Sequence, residues 1–137
     1  MVLPPYIHTF QCKTNDTKPG ILTPIEDYDL DMKIKRIFFI HGFHDIPAHL
    51  QNKSRGHHGH YSAKQVLIAV HGSCLVTVKN STGYEIKYNL CNPNDGLVLP
   101  PENVVSMSEF SSDAVLLVIC DKNYEDDKIF LSSESSS

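Results

Sequence analysis

Short apolar runs separated by polar turns recur along most of the chain. The segments Lys35–Ile40, Gln65–Val70, Cys74–Lys79, Tyr84–Leu90, Gly96–Leu99, Val104–Met107 and Ala114–Ile119 are rich in β-branched or aromatic residues. That composition suits a pleated, partly buried surface, so each segment predicts a strand. Between them stand Asn80-Ser81-Thr82-Gly83, Asn92-Pro93-Asn94-Asp95-Gly96 and Pro100-Pro101-Glu102-Asn103. Asn, Pro and Gly in such clusters favour turns. Cys74–Lys79 alternates well, and the polar turn before Tyr84 predicts a hairpin. The one helical expectation, Asp121–Lys128, is short and acidic. Many short strands with few helix signals predict an all-β sandwich or barrel. Residues 1–131 are expected to form one domain, and the Ser-rich stretch 132–137 a disordered tail.

Composition narrows the class further. At 137 residues, 41% of them apolar, the chain can build a core without disulfide staples. A formal net charge of −4 offers no field to gather nucleic acid or anionic lipid. No apolar run approaches the roughly 20 residues that a membrane-spanning helix needs. The start, MVLPPYIHTF, lacks a basic n-region and a long apolar h-region, which argues against a signal peptide. Cys12, Cys74, Cys91 and Cys120 form no C-x-x-C pair and are expected to be buried free thiols in a reducing cytoplasm. The unusual feature is histidine: seven of the eight lie between His41 and His71.

Within that stretch, RGHHGHYSAKQVLIAVHG carries the chemistry. His58 and His60 are two apart, so on a strand their imidazoles share a face, while His57 points away. His71 precedes a turn glycine and is expected at the surface. His41, His44 and His49 lie in a loop-like segment, where solvated roles are the simpler reading. The acidic run Glu125-Asp126-Asp127 is most simply solvated, and Phe38, Phe39, Val66, Leu67, Ile68, Leu116, Leu117 and Val118 are expected in the core.

The spacing H-x-H-x4-Q-x6-G, from His58 through His60 and Gln65 to Gly72, resembles the first motif of the cupin superfamily. That motif usually has Glu where this chain has Gln65. The second cupin motif usually ends in a metal-binding His, and the matching position here is Val105. Two imidazoles and an amide make a poor site for divalent iron, manganese or nickel. The expectation is therefore no metal, with a metal-dependent cupin enzyme kept as an alternative.

The blocks GILTPIE, IKRIFFI, RGHHGH, QVLIAVHGS, GLVLPP and FSSDAVLLVICDKNYEDD carry a closer resemblance, over about Tyr6 to Lys128. They resemble the sugar 3,4-ketoisomerases and the related WxcM-like domains. The resemblance implies a cupin/RmlC-like jelly-roll barrel that works without cofactor. It also implies a homodimer with exchanged N-terminal strands. The implied reaction moves the keto group of a dTDP-linked 4-keto-6-deoxyhexose from C4 to C3, on the way to amino sugars of bacterial surface glycans. An imidazole with a pKa near neutrality suits the proton transfers required. By motif position His58 is implied as the base that shuttles the carbon-bound proton, and His60 as the group that orients or protonates a substrate oxygen. Arg55 could hold a phosphate bidentately, and Gln65 could bond a sugar hydroxyl.

Departures from the family pattern leave alternatives open. Phe39 stands where the family carries a Tyr, and Tyr61 where Lys often follows the second His. Val105 stands where a His or Arg often sits, and the segment His41–Ser54 is longer than usual. Tyr61 joins Arg55 and Gln65 as a substrate-binding candidate; the relay could pass through Tyr61 or His41, the product stereochemistry could be altered, or the chain could bind a sugar nucleotide without turning it over. The 3,5-epimerases, metal-free jelly rolls on similar substrates, use a His–Asp pair and a Tyr. The sequence displays no matching constellation.

Overall fold

The alternating runs become strands that pair into two facing antiparallel sheets. The computed structural model describes residues 2–131. In chain order the strands are β1 (Tyr6–Thr9), β2 (Lys13–Asn15), β3 (Lys18–Leu22), β4 (Arg36–Ile40), β5 (Arg55–His60) and β6 (Gln65–His71). There follow β7 (Cys74–Lys79), β8 (Glu85–Leu90), β9 (Asp95–Leu99), β10 (Val104–Ser108), β11 (Val115–Cys120) and β12 (Ile129–Leu131). One sheet has the order β1-β9-β6-β11-β4 and the other β12-β5-β10-β7-β8, while β2 and β3 form a separate hairpin. Non-sequential neighbours within two packed antiparallel sheets make a jelly roll.

The β7–β8 hairpin forms where its turn chemistry directs. The Asn80 side-chain carbonyl accepts hydrogen bonds from the backbone N–H groups of Thr82 and Tyr84, at 3.0 and 3.1 Å. Strand β7 then buries Cys74, Val76 and Val78 and turns the residues between them outward.

Between the sheets lies the main core, with Leu67, Val76, Val78, Leu97, Leu99, Val105, Leu116 and Val118 buried together. A second cluster covers the outer face of the first sheet, where Val66, Ile68, Val98 and Ile119 pack with Phe10 and Leu30. The lid is the segment around the short helix α1 (Asp27–Leu30), with Ile25, Met32 and Ile34 against the same cluster. This explains why QVLIAV is a continuous apolar run: β6 is covered on both faces from Gln65 to Ala69.

Several expectations change. Asp121–Lys128 is not a helix but contains a single 3₁₀ turn, Tyr124–Asp126, because the chain must extend again to lay β12 along β5. Phe39 is not core: β4 alternates, so Phe38 faces inward and Phe39 is 59% exposed. Of the four free thiols only Cys74 and Cys120 are buried, and Cys12 and Cys91 are exposed. Burial pushes the Cys74 thiol up to about 11, which leaves it unreactive at neutral pH. The expected tail, 132–137, lies outside the described residues. No helix among the described residues is long and apolar enough to cross a membrane.

The covering segment yields a stability test within one helix. Leu30 is fully buried and Tyr28 is exposed. Leu30→Ala should lower the urea-unfolding free energy by about 2–5 kcal/mol. Tyr28→Ala should change it by no more than about 0.5 kcal/mol.

Candidate active site

Strand β5 builds the site. It lies between β10 and β12, and its pairing with β10 slips between Val105 and Ser106: Val105 faces His58 while Ser106 faces Gly56. His57 is thus an extra residue on β5, a β-bulge, and both Gly56 and His57 have positive φ, 92° and 65°. A Cβ at Gly56 would stand 2.6 Å from the Val105 carbonyl oxygen, so only glycine fits the bulge. The extra residue swaps faces along the strand. Arg55 and His58, which strict alternation would send opposite ways, both line one cavity. His57 is exposed, as expected, with Nε2 2.5 Å from Ser54 Oγ.

That inner cavity has a volume of about 130 Å³. Its polar side chains are His58, Arg55 and Gln65, and its walls are apolar: Phe38, Ile40, Leu67, Val105, Met107 and Val118. Three of the expected site residues are therefore brought together. Gln65 is buried, and its Nε2 donates to Cys120 Sγ at 3.1 Å across the β6–β11 pairing. Val105, where a cupin metal ligand would stand, is buried and lines the cavity with no donor atom. Among the described residues no three His, Cys, Asp or Glu side chains gather as a metal-holding group.

A larger cleft of about 650 Å³ lies alongside, sharing Ile40 and Arg55 with the inner cavity. The long segment after β4 forms much of it, including His41, Asn52, Lys53 and Ser54. Phe43 of this segment stacks on Phe110, with centroids 4.0 Å apart and planes within 10°, and so ties it to the β10–β11 connection. Volumes of about 300–1,000 Å³ are usual for small-molecule sites, and the cleft falls in that range while the inner cavity does not.

His60 shares the side of β5 that carries His58. The two rings meet edge to face, 5.3 Å between centroids at 72°. His60 does not line the cavity; it is 7% exposed, and its Nδ1 lies 2.8 Å from both carboxylate oxygens of Asp127. Asp127 was expected on a solvated acidic face, yet its side chain is buried. A His–Asp pair, absent from the sequence reading, is thus present. The two residues are 67 apart in the chain, and no local pattern signals the contact. The one available sign was that the block FSSDAVLLVICDKNYEDD ends on this residue.

The remaining candidates stand apart. Tyr61 is 60% exposed and rests on Phe130, outside the cavity, with 4.8 Å between ring centroids. His41 lines the outer cleft only. His71 is exposed beside Asp113, as expected of a surface residue.

Electrostatics favour a neutral base in the cavity. Burial lowers the His58 pKa below its ordinary 6.5, and the neighbouring His60 acts the same way. A hydrogen bond with the Gly56 backbone and the Asp127 carboxylate work against the shift without reversing it. Arg55 forms no ion pair with any described residue, so its guanidinium is available to an anionic ligand.

A jelly roll with a histidine-bearing strand lining its interior, and a cleft above, defines a cupin-type barrel. The chain belongs to the WxcM-like, C-terminal (FdtA) family, whose model matches residues 6–134. It is 28% identical over 114 residues to a TDP-4-oxo-6-deoxy-α-D-glucose 3,4-oxoisomerase of Aneurinibacillus thermoaerophilus, covering 83% of this chain and 77% of that protein. The sugar 3,4-ketoisomerase QdtA of Thermoanaerobacterium thermosaccharolyticum, solved in complex with TDP, superposes with a TM-score of 0.82 at 28% identity. That match covers 98% of this chain and 93% of QdtA, a variant of which has also been solved with TDP-4-keto-6-deoxyglucose. WlaRA, a TDP-fucose-3,4-ketoisomerase of Campylobacter jejuni, gives a TM-score of 0.78 at 26% identity over 90% of this chain and 86% of its own.

The His58 shift sets a measurable pH behaviour. A lowered pKa means the ring loses its proton at a pH below 6.5 and is a free base at neutrality. Proton NMR titration should place the His58 ring midpoint below 6.5. A midpoint at or above 6.5 would contradict the burial argument.

Proposed function

We propose that the protein is a sugar 3,4-ketoisomerase acting on a dTDP-linked 4-keto-6-deoxyhexose. The observation that carries this reading is His58, an imidazole whose pKa burial lowers, beside Arg55 in a small apolar cavity. The named activities of the relatives support the choice of reaction. The nucleotide diphosphate lies in the outer cleft against Arg55, and the sugar enters the inner cavity. His58 takes the proton from C3, leaving an enediolate over C3 and C4, and returns it to C4. The hydroxyl proton of O3 passes to O4, so the carbonyl ends on C3 and no external oxidant is consumed. Removing a well-placed general base of this kind lowers turnover by about 10²–10⁴-fold.

The product, a 3-keto sugar nucleotide, is the form that an aminating enzyme would need. We therefore place the reaction in the cytoplasm, ahead of an amino-sugar step in surface-glycan synthesis. We further propose a homodimer with exchanged N-terminal strands. The β2–β3 hairpin supports it, because every residue in both strands is exposed, Ile21 and Leu22 included. Light scattering should give twice the chain mass.

A second reading, sugar-nucleotide binding without turnover, draws on Phe39, which stands at the family's Tyr position but is turned outward, and on Val105, which lines the cavity; neither offers a proton relay. One experiment separates the two. Incubation with dTDP-4-keto-6-deoxyglucose in deuterium oxide should give a 3-keto product carrying deuterium at C4, read by NMR. No 3-keto product together with tight dTDP binding by calorimetry would establish the binding module instead. His58→Asn should abolish turnover by at least about 10²-fold while leaving dTDP binding within a few-fold. Arg55→Ala should instead weaken dTDP binding by about tenfold or more, the loss of one charge-assisted contact.

A further inference from the structure

His60 carries a polar atom that the scheme above leaves unassigned. Its Nδ1 faces the Asp127 carboxylate, while Nε2 is buried with no hydrogen-bond partner among the described residues. Asp127 is held there by backbone pairing on the histidine strand itself. Ile129 sits opposite His60 in the β12–β5 ladder, and the Tyr61 N–H donates to the Lys128 carbonyl at 3.0 Å. The carboxylate is therefore part of the site's frame. An ionised carboxylate only accepts hydrogen bonds, so the imidazole nitrogen facing it must carry the hydrogen. In a neutral ring the other nitrogen then holds a lone pair.

We propose that Asp127 is a positioning residue: it fixes His60 as the Nδ1–H tautomer and leaves Nε2 as the unprotonated acceptor of the His58–His60 pair. The proposal rests on the ketoisomerase reading for what that pair does. There, His60 stands edge to face against His58, and the Asp127 carboxylate behind it favours the positive charge that His58 carries while it holds the C3 proton. His58 moves the carbon-bound proton and ends each turnover as it began, so no other reactant is consumed.

The test combines a spectrum with kinetics. In ¹⁵N-histidine-labelled protein, long-range proton–nitrogen correlation should show His60 protonated at Nδ1 and bare at Nε2. Asp127→Asn, whose amide can donate to Nδ1, should shift that signature and lower kcat by about 10²-fold or more, with KM within about threefold. Asp127→Glu should recover most of the lost kcat and the wild-type signature. An Nε2-protonated His60 in the wild type, or an Asp127→Asn protein with kcat within threefold of wild type, would overturn the proposal. If Asp127→Asn does not fold, the wild-type spectrum and Asp127→Glu decide. Wild-type protein without turnover defeats the functional reading, and the spectrum still decides whether Asp127 sets the tautomer.

Discussion

The bulge at Gly56 and His57 governs what the barrel can present. A regular β5 would send Arg55 and His58 to opposite faces, because strand side chains alternate with period two. The inserted residue moves Arg55 to the cavity side without disturbing His58 and His60. It requires glycine at position 56, where the Val105 carbonyl leaves no room for a Cβ. It also requires His57 to adopt a positive φ, which costs a non-glycine residue roughly 1–2 kcal/mol, partly offset by its contact with Ser54. Gly59 has a comparable role three residues on: a Cβ there would run into the Phe130 ring, so β12 could not close against β5. The glycines of RGHHGH are thus as necessary to the site as its histidines.

Closing β12 brings in Asp127, and with it a buried carboxylate. An isolated buried charge is strongly unfavourable, and removing one partner of a buried ion pair typically costs about 3–5 kcal/mol. The His60–Asp127 contact satisfies the carboxylate through a ring that is itself packed edge to face on His58. Docking of the C-terminal strand on β5 therefore goes together with burial of the Asp127 carboxylate against His60.

How much of this was legible depends on whether the determining contact is local. The β7–β8 hairpin was readable because Asn80 organises its own turn, and β6 because a run covered on both faces is apolar throughout. The His58–His60 face followed from period-two spacing alone. Strands β1, β2, β3 and β12 were missed. The β2–β3 hairpin buries nothing, and β12 is defined by pairing with a strand about seventy residues earlier. Asp127 was misread for the same reason, since an acidic run looks solvated until its distant partner is known. Phe39 was misplaced because two adjacent phenylalanines give no phase; the register against β11 sets Phe38 inward. Arg55 was matched by motif position, but its place beside His58 needed a bulge that no residue pattern announces by itself.

The balance of charge around the cavity bears on which reaction it suits. Apolar walls raise the cost of an imidazolium at His58, so the ring rests neutral and can accept a proton. For a keto shift that acceptance is coupled to an enediolate forming beside it, and the two opposite charges appear together. A cavity that disfavours either charge alone tolerates the pair, because their attraction grows as water is excluded. Arg55, in no ion pair with any described residue, stands at the wall shared by both cavities and carries the only permanent positive charge among the polar side chains of the inner cavity. It can neutralise a diphosphate without lying in the proton path. The Asp127 carboxylate counters it from behind His60, which keeps the site near neutral before and after the proton moves. Such a field stabilises transient charge separation and resists net charge, which is the condition a reversible internal proton transfer needs.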